Sequence, residues 1–596
     1  MRGGGHPLHM NRSSCGSVIL RTPLRVGFYR TDLKLNLERL GVPMRMKALI
    51  LSLLALSILA CGGASRPDAV DAAKVIQPEL LREAVTRLAA DEMEGRGPGT
   101  DGDRRARAYL AQRLQEAGYR AAFAGESWEQ PFSIVGVTTE LPQRWSFHTD
   151  RGREISFARW EEYMGAAGRQ RPETVITDAE VVFVGYGIQA PEEDWDDFKG
   201  VDLEGKMLLM LNDDPEWDPA LFAGERKLYY GRWTYKYESA ARQGAAGAII
   251  IHTTPSAGYP WQVVQTSWNG EQFEVPVGDE PRVGFQAWLT EEAARRLVEA
   301  GGHDLDTLVD QARSRDFRPV SLGLSTSLDL KSTIRRTETA NVAGILRGSD
   351  PELADEVVVL SAHHDHFGIG EPDDRGDRIY NGALDNGVAM AEALAVAEAF
   401  AALGDPPRRS VMFLFFAAEE QGLLGSKYFA ANPTVPPGKI AANINFELGN
   451  IWGRTRDVKI FGKGKSTLED LLAAAAASQG RYVTEEKTLR AGWYYRSDQF
   501  NFARIGVPAI WFKSGTDFID RPTGWGEERH AEWIETTYHQ PTDEVEDSWN
   551  YEGLVEDARL AFTLALTVAG ADQMPTWYPG DEFEDERQKA LQELSR

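Results

Sequence analysis

The sequence predicts an α/β protein, with a mostly parallel mixed sheet flanked by helices and a β-rich domain inserted ahead of that sheet. After Ala340, nearly continuous apolar runs alternate with helical patterns of ten or more residues. Such runs are typical of strands buried on both faces, and their alternation with helices is typical of a sheet covered by helices. Between residues 132 and 335 the apolar runs are shorter and turns intervene, which predicts a separate β-rich unit.

The patterns of apolar residues predict the bounds of the domains and of their strands and helices. Residues 77–131 are predicted to be an N-terminal helical part, 336–572 the main α/β domain and 573–596 an acidic C-terminal tail. The strands predicted for the large sheet are Val357–Leu360, Val411–Ala417, Ile440–Phe446 and Val507–Phe512, and its helices are Val388–Leu403, Leu468–Ser478 and Leu554–Val568. The elements predicted for the insert, 132–335, are the strands Val181–Val184, Met207–Leu211 and Ala248–Ile251 and a helix around Tyr237–Gly244.

The composition excludes several classes of function. Of the 596 residues, 42% are hydrophobic and 26% charged, which is too apolar for a disordered chain. With 90 acidic against 65 basic residues, the formal net charge is −25. This sign disfavours binding to nucleic acid and docking on anionic lipid through a basic surface. The two cysteines, Cys15 and Cys61, cannot form a disulfide framework or a cysteine-ligated zinc site.

The beginning of the chain is predicted to be targeting sequence. Met44–Lys47 form a short basic start, thirteen uncharged residues follow at 48–60, and small residues follow Cys61. This pattern is typical of a secretory signal, and thirteen residues are too few to span a bilayer comfortably as a helix. Residues 58–61 (ILAC) resemble a bacterial lipobox, which implies that Cys61 is lipidated and becomes the mature N-terminus. The alternative is an ordinary signal peptide with an incidental cysteine.

On this interpretation residues 1–43 are an over-extended gene start, 44–60 are the signal peptide and 61–76 form a flexible tether. The mature protein would lie in the cell envelope, anchored by its lipid on the periplasmic or extracellular face. The outer membrane is preferred because Gly62, rather than an aspartate, follows the cysteine. No other apolar run approaches membrane length, so the anchor is the only predicted contact with a membrane.

Three of the predicted strands end in residues of the kind that bind metal ions. Because the carboxyl ends of strands in an open α/β sheet face the same crevice, these side chains are expected to lie together. Each alone has another explanation, such as a helix cap or a structural histidine, but the set together predicts a site. The candidates are His363 and Asp365 after the first strand, Glu419 and Glu420 after the second, Glu447 after the third, and Asp385 and His539 on loops.

Six segments resemble, in order, the motifs of the M28 family of dizinc metallopeptidases. Within the insert, Gly185–Gly187 and Asp202–Lys206 are similar to the protease-associated (PA) domain that many members carry. The resemblance covers roughly residues 78 to 570 and implies the zinc exopeptidase fold. The six segments are 361–368 (SAHHDHFG), 381–386 (NGALDN), 417–426 (AAEEQGLLGS), 445–447 (NFE), 496–498 (RSD) and 538–539 (YH).

The resemblance implies a centre with two Zn²⁺ ions per chain. His363 and Glu447 would bind one ion, and Glu420 and His539 would bind the other. Asp385 would bridge the two ions. These ligand types also suit cobalt or manganese, so zinc is what the family implies.

The resemblance also implies two residues that act beside the metals. Glu419 would be the general base that acts on a hydroxide bridging the two ions. Asp365 would accept the second ring N–H of His363 and so fix the tautomer of that ligand.

Other residues near these motifs keep more than one interpretation. Tyr494 or Tyr495 could donate a hydrogen bond to an oxyanion or be an ordinary buried aromatic residue. His364 is predicted to pack in the core, and the role of His366 is open. The glycine-dense loop 94–100 follows no strand and lacks the lysine and serine of a phosphate-binding loop, so we expect a connector.

We therefore predict a zinc-dependent exopeptidase, specifically an aminopeptidase that removes N-terminal residues from peptides outside the cytoplasm. A carboxypeptidase or a dipeptidase of the same family is an alternative, as is a glutaminyl-cyclase-like acyltransferase with one zinc. From another class, a non-catalytic binding lipoprotein is possible, although such proteins lose ligands that this chain retains. A last alternative is that the PA-like domain recruits partners while the peptidase is idle. The predicted substrates are peptides, and the oligomeric state is left open.

Overall fold

The computed structural model describes residues 68–149, 152–218, 221–276, 278 and 280–595. The predicted signal peptide and residues 61–67 of the predicted tether, including Cys61, lie outside these residues. In the rest of that segment Ala69–Ala72 form a helix and Ile76 is buried in the core, which differs from the flexible tether predicted there. Within the described ranges, no helix combines the length and the apolar character needed to cross a membrane.

Strands and helices alternate along most of the described chain. The strands are β1 (Arg120–Ala121), β2 (Glu129–Glu140), β3 (Arg144–Thr149), β4 (Glu154–Ala158), β5 (Tyr163–Ala167), β6 (Glu173–Phe183), β7 (Gln189–Ala190), β8 (Trp195–Asp196), β9 (Met207–Leu211), β10 (Gly247–His252), β11 (Glu271–Glu274), β12 (Phe285–Thr290), β13 (Val320–Leu346), β14 (Val357–His363), β15 (Gly368–Ile369), β16 (Ile379–Tyr380), β17 (Ser410–Phe416), β18 (Ile440–Asn445), β19 (Asp457–Phe461), β20 (Tyr482–Glu485) and β21 (Ala509–Ser514). The α-helices are α1 (Ala69–Ala72), α2 (Pro78–Leu88), α3 (Asp101–Glu116), α4 (Trp233–Arg242), α5 (Thr254–Ala257), α6 (Trp261–Ser267), α7 (Glu291–Ala300), α8 (Leu305–Ala312), α9 (Val388–Ala401), α10 (Leu424–Ala431), α11 (Leu468–Ser478), α12 (Gln499–Arg504), α13 (Trp525–Thr536), α14 (Glu552–Gly570) and α15 (Glu584–Leu594).

The large sheet has the strand order β1-β13-β17-β14-β18-β21-β19-β20. Its four central strands, β17, β14, β18 and β21, run parallel, whereas β13 and β19 each pair antiparallel to a central strand. Every residue of β14, β17 and β18 is buried, which explains their continuous apolar sequence. The predicted fold, a mostly parallel mixed sheet flanked by helices, is confirmed.

Helices cover both faces of this sheet. On one face α9 lies against the sheet between α2 and α14, and almost all of its residues are buried, so its sequence is apolar around its whole circumference. On the other face, Phe429 of α10 and Phe502 of α12 pack with side chains of β14 and β17. The helices cover the two faces of the sheet and leave the carboxyl ends of its central strands uncovered.

The insert is β-rich and has a hydrophobic core of its own. Its strands β12, β10, β9 and β6 run parallel in that order, and β5 pairs antiparallel with β12. The runs predicted at 181–184, 207–211 and 248–251 fall in β6, β9 and β10. The predicted helix is α4, which begins at Trp233, four residues before the predicted start.

The insert is joined to the large sheet by paired strands. β2 and β13 pair antiparallel over twelve residues, from Glu129 opposite Val342 to Glu140 opposite Lys331. The boundaries predicted near 132 and 335 therefore fall inside this ribbon of paired strands and not in loops. At its two ends β13 also pairs with β6 of the insert and with β17 of the large sheet. The two parts consequently share backbone hydrogen bonds.

The predicted acidic tail packs against the α/β domain. The Trp577 indole donates a hydrogen bond to the carbonyl oxygen of Gly506 (3.0 Å). Arg587 in α15 is buried and donates to the carbonyl oxygens of Pro437 (2.9 Å) and Ile440 (3.1 Å). The C-terminal residues of the described chain are thus part of the folded domain.

The glycine-dense segment 94–100 does more than connect two helices. Arg96 within it is completely buried, and Gly95 has a φ of +63° and lies so close to the chain that an added Cβ would be 2.5 Å from two carbonyl oxygens. Only glycine tolerates both conditions. The Arg96 guanidinium donates to the backbone oxygens of Leu88 (2.7 Å), His364 (2.8 Å), Asn381 (2.6 Å) and Gly382 (2.9 Å). Arg96 therefore fastens the N-terminal helices to two loops that carry candidate site residues.

We expect Arg96→Met to lower the free energy of unfolding by about 3–5 kcal/mol. The reason is that several buried carbonyl oxygens lose their donor, at about 1–3 kcal/mol each. Urea denaturation of the purified protein measures this difference. The control is Arg105→Met in α3, whose guanidinium forms a half-exposed ion pair with Glu94 (3.0 Å) and should matter by less than about 1 kcal/mol. If the two variants lose the same free energy of unfolding, Arg96 does not fasten the loops as proposed.

Candidate metal centre

The predicted ligands lie together where the central parallel strands end. His363 is the last residue of β14, and Glu447 follows the end of β18 by two residues. Glu419 and Glu420 follow the end of β17, which is the other neighbour of β14. Because β14 lies between these two strands, the three strand ends converge as predicted. The side chains of these residues are buried.

Asp385 lies between the two histidines of the set. Its Oδ1 is 3.4 Å from Nε2 of His363, and its Oδ2 is 3.2 Å from Nε2 of His539. One carboxylate thus presents one oxygen to each imidazole. This is the arrangement that a bridging ligand between two cations requires.

Each of the other two predicted ligands, Glu447 and Glu420, has an oxygen beside one of the two histidines. Glu447 Oε1 is 3.3 Å from His363 Nε2, and Glu420 Oε2 is 3.2 Å from His539 Nε2. Ligand atoms about 2.0–2.1 Å from a tetrahedral Zn²⁺ lie about 3.3 Å from one another. The spacing of these side-chain atoms therefore fits two such ions.

The chemistry of the donor set also fits cations. Nε2 of His539 is buried and makes no hydrogen bond within the described chain, although two carboxylate oxygens lie 3.2 Å from it. Donor atoms that bind the same cation lie this close to one another without hydrogen bonding, because each atom points at the cation and not at its neighbour. With Glu419, four carboxylates share the pocket, and buried negative charge is stable only beside positive charge.

Asp543 and Asn386 position the loop that carries Asp385. The Asp543 carboxylate accepts hydrogen bonds from the backbone N–H groups of Leu384 (3.0 Å) and Asp385 (2.9 Å). The side-chain oxygen of Asn386 accepts one from the N–H of Leu448 (2.9 Å), which lies beside Glu447. The sequence predicts no role for either residue. Asn386 lies in a motif segment and Asp543 follows another by four residues, but the partners of both are far away in the sequence.

His366 and Ser497 contact the metal-type carboxylates from outside the ligand set. Nδ1 of His366 is 2.6 Å from Oε1 of Glu420, and both side chains are buried. The Ser497 hydroxyl donates to Oε2 of Glu447 (2.7 Å). Each carboxylate thus has one oxygen held and the other facing a histidine, which orients it as a ligand.

Asp365 lies beside His363 as predicted, but the contact differs from the one expected. Nδ1 of His363 is 3.2 Å from the backbone oxygen of Asp365 and 3.7 Å from its carboxylate. That carboxylate instead accepts hydrogen bonds from the backbone N–H groups of Glu419 (3.0 Å) and Glu420 (3.4 Å). The backbone oxygen can still fix the tautomer of His363, while the side chain positions the Glu419–Glu420 pair.

Tyr494, Tyr495 and His364 form their hydrogen bonds away from the candidate ligands. The hydroxyl groups of Tyr494 and Tyr495 point to the Ala509 carbonyl oxygen (3.4 Å) and to Glu582 (2.6 Å), so both are buried aromatic residues. Nε2 of His364 lies 3.0 Å from the buried carboxylate of Asp103. His364 therefore packs in the interior as predicted.

Burial and the carboxylates together shift the titration of the pocket. Burial raises the pKa of Glu419 well above its ordinary value, and the negative charges of Glu447 and Glu420 add to the rise. Burial opposes a charge on His539, but Glu420 and Asp385 outweigh it and raise the pKa of that imidazole to about 9. Without metal the pocket therefore retains protons, and a divalent cation would satisfy the same negative potential.

The insert forms one wall of the cleft above this centre. The cleft has a volume of about 300 Å³ and is lined by Asp385, Glu419, Glu420 and His539 from the α/β domain and by side chains of α4 and α6 from the insert. Ser267, the last residue of α6, places its hydroxyl 3.0 Å from Nδ1 of His539. Sequence patterns do not reveal this contact, because 272 residues separate its two members.

Comparisons with known proteins agree with this geometry. Residues 341–563 match the family described as Peptidase family M28, which confirms the resemblance that the motifs indicate. The chain is 26% identical over 242 residues, 40% of its length, to "Leupeptin-inactivating enzyme 1" of Streptomyces exfoliatus. It is 25% identical over 264 residues, 42% of its length, to "Probable leucine aminopeptidase 2" of Aspergillus fumigatus. The matches span only about half of these relatives, 50% and 49% of their lengths.

Solved structures with a related chain path include two bacterial proteins. An aminopeptidase from Aneurinibacillus sp. strain AM-1 aligns with a TM-score of 0.48 and 19% identity, covering 85% of this chain and 96% of its own. A peptidase M28 precursor from Shewanella amazonensis aligns with a TM-score of 0.45 and 17% identity, covering 86% and 100%.

We expect Ser267→Ala to weaken zinc binding about 10- to 100-fold. With Nε2 of His539 facing a metal ion, Nδ1 carries the proton and donates to the Ser267 hydroxyl, and loss of such a partner typically weakens metal binding by this factor. Competition with a fluorescent chelator measures the affinity. The control is Thr266→Val in the same helix, because the Thr266 hydroxyl bonds only to carbonyl oxygens of its own helix. If both variants bind zinc as the parent does, the contact has no role in binding.

Proposed function

We propose that this chain is a metal-dependent exopeptidase, specifically an aminopeptidase that hydrolyses the N-terminal residue from peptides. The observation that carries the proposal is the Asp385 carboxylate, which lies between His363 and His539 with one oxygen 3.4 Å and the other 3.2 Å from an imidazole nitrogen. The match to a peptidase family supports it. So do the names of the relatives, one of which is described as a leucine aminopeptidase.

The residues present would hold two Zn²⁺ ions, as the family implies. His363 and Glu447 would bind one, Glu420 and His539 the other, and Asp385 both. Two bound ions would lower the pKa of a water molecule and stabilise the negative charge that develops on the peptide carbonyl oxygen.

Glu419 is the residue placed to move the proton. Its Oε2 is 3.9 Å from Nε2 of His363, and its backbone N–H is held by Asp365 (3.0 Å). In hydrolysis the water oxygen bonds to the peptide carbon and the C–N bond breaks. Glu419 would accept the proton that water loses and give it to the leaving amine. The raised pKa of Glu419 suits a group that must hold this proton in mid-reaction.

The insert supports a preference for chain ends. Its helices α4 and α6 line the cleft opposite the candidate centre, and Ser267 touches a ligand histidine. A cleft of about 300 Å³ admits a few residues of an extended peptide and not a folded segment. We propose that the insert, as a PA-like domain, is this wall of the active site.

We also propose that the protein is a lipoprotein of the cell envelope, anchored through Cys61 with the outer membrane preferred. The support is the sequence alone, since Ile58–Cys61 resembles a lipobox after an apolar run. A lipid at this position would place the site outside the cytoplasm.

Expression of the full gene product in bacteria with radiolabelled palmitate tests the anchor. We expect labelled protein in the membrane fraction, and we expect Cys61→Ser to lose the label because the acceptor thiol is absent. Cys15→Ser is the control, since the proposal assigns no lipid to it. An unlabelled parent protein would support an ordinary signal peptide.

For the activity, we expect Glu419→Gln to retain about two zinc ions per chain and to lose about 10²- to 10⁴-fold in kcat. This is the usual contribution of a general base, and the substitution leaves the metal ligands unchanged. Zinc content and hydrolysis of aminoacyl-nitroanilides measure the two effects. The control is Glu532→Gln on the exposed side of α13, which should behave as the parent does.

The same assay distinguishes the alternatives. Hydrolysis of N-blocked peptides but not of free N-termini would identify a carboxypeptidase or an endopeptidase. Absence of both bound metal and turnover in the parent protein would exclude an enzyme and favour a binding lipoprotein.

A further inference from the structure

Arg232 is a buried cation without a partner. It lies in the insert at the start of α4, lines the cleft of the candidate metal centre and is only 9% exposed. Among the described residues, no hydrogen bond or ion pair to its guanidinium is found, and its Nε is buried and unbonded. Burial and the nearby charge of Arg496 lower the pKa of Arg232 to about 9, so it remains charged at neutral pH.

Arg496 brings a second positive charge to the same cleft. Its guanidinium lies over the rings of Trp493 (4.4 Å) and Tyr259 (4.9 Å) and bonds to the carbonyl oxygen of Ala257 in the insert. Its Nε is also buried and unbonded, and no carboxylate among the described residues forms an ion pair with it. Two arginines from the two parts of the chain thus face one space walled by aromatic rings.

This pair is unlike other buried cations of the chain. Arg409 and Arg481 pair with Glu356 (2.7 Å) and Asp557 (2.8 Å), whereas Arg96 is surrounded by four carbonyl oxygens. Burying an unpaired charge costs free energy, and placing two like charges together costs more. In a protein with 90 acidic residues, the missing counter-charge points to a ligand.

Tyr538 shows how close this space is to the metal centre. Its ring lies against the ring of His539 at an angle of 34°, with centroids 3.8 Å apart. Its hydroxyl lies in the field of the Asp385 and Glu420 carboxylates and also in that of Arg496. The arginine pair, Tyr538 and the candidate ligands Asp385 and His539 therefore line one cleft, in which a short peptide can reach both.

We propose that Arg232 and Arg496 form a subsite that binds a carboxylate of the substrate. The inference rests on the proposed peptidase function and specifies its substrate class. Guanidinium groups bind carboxylates through paired, charge-assisted hydrogen bonds. The guanidinium of Arg232, including its Nε, offers such donors because it has no partner among the described residues. The carboxylate is either the C-terminal carboxylate of a short peptide or the side chain of an acidic residue. In either case the metal centre cleaves a bond a short distance away.

Peptide pairs that differ in one charge test the proposal. Leu-Gly and Leu-Gly-amide differ in the C-terminal carboxylate, and Leu-Glu-amide and Leu-Gln-amide differ in the side chain. For each pair, kcat/KM is measured with the parent protein, Arg232→Gln and Arg242→Gln. Arg242 is the matched control because it ends the same helix and is half exposed beside Glu238 (4.0 Å).

We expect the parent to prefer the charged member of at least one pair by roughly 10- to 100-fold. Arg232→Gln should remove that preference by lowering kcat/KM more for the charged peptide than for the uncharged one, whereas Arg242→Gln should keep it. The pair that responds identifies the source of the carboxylate. No preference in either pair, or a preference that survives in Arg232→Gln, would overturn the proposal.

Binding to an inactive protein separates this inference from the proposed function. Calorimetry with Glu419→Gln should detect tighter binding of the charged peptide, and the double variant with Arg232→Gln should not. If the parent hydrolyses nothing but this difference persists, the peptidase proposal fails and the subsite remains. If neither peptide form binds, the subsite proposal fails.

Thermal unfolding distinguishes a binding residue from a structural one. Because Arg232 has no partner in the described chain, Arg232→Gln should leave the melting temperature unchanged or raise it. A fall of several degrees would mean that Arg232 supports the fold, and the loss of preference would then be indirect. Arg232→Lys retains the charge without the fork of donors and should keep part of the preference.

Discussion

Four carboxylates crowded into one buried pocket impose the constraint on which the rest of this structure depends. Such a group of like charges is unstable unless cations join it and the surrounding chain holds each carboxylate in place. The structure meets the second condition with backbone amides and neutral donors, as when Ser497 holds Glu447. It also places the buried Arg96 under the loops beside the pocket. These contacts keep the four carboxylates buried and fixed in position at the ends of the central strands.

The central strands and most candidate site residues could be predicted from the sequence, because each is marked by residues next to it in the chain. A strand buried on both faces is apolar throughout, and a histidine or carboxylate at its end interrupts that run. The sequence itself therefore marks His363, Glu419 and Glu447 as candidate site residues. The parallel pairing of β14 with β17 and β18 then brings them together. Asp385 and His539 are also candidates from their loops, but their proposed roles as ligands come from the resemblance to a family, since no periodicity marks them.

The residues that were missed act through partners far away in the sequence. Arg96 stands in a loop whose glycines indicate turns, and nothing nearby shows that three of its four acceptors lie more than 260 residues further on. Ser267 and Arg232 belong to an insert whose orientation over the cleft is set by tertiary packing. Asp365 was placed correctly beside His363, but the choice between its backbone and its carboxylate as acceptor depends on ångström differences that residue type does not encode.

The ribbon of β2 and β13 gives the protein a mechanical property. A domain on two loose linkers can rotate freely, whereas a domain carried on twelve paired residues can move only by bending or twisting that ribbon. At its far end β13 pairs with β17, and Glu419 and Glu420 follow β17. The ribbon therefore ties the insert through backbone hydrogen bonds to the strand that precedes Glu419, the proposed general base. A twist of the insert relative to the large sheet would thus act on that strand directly as well as across the cleft.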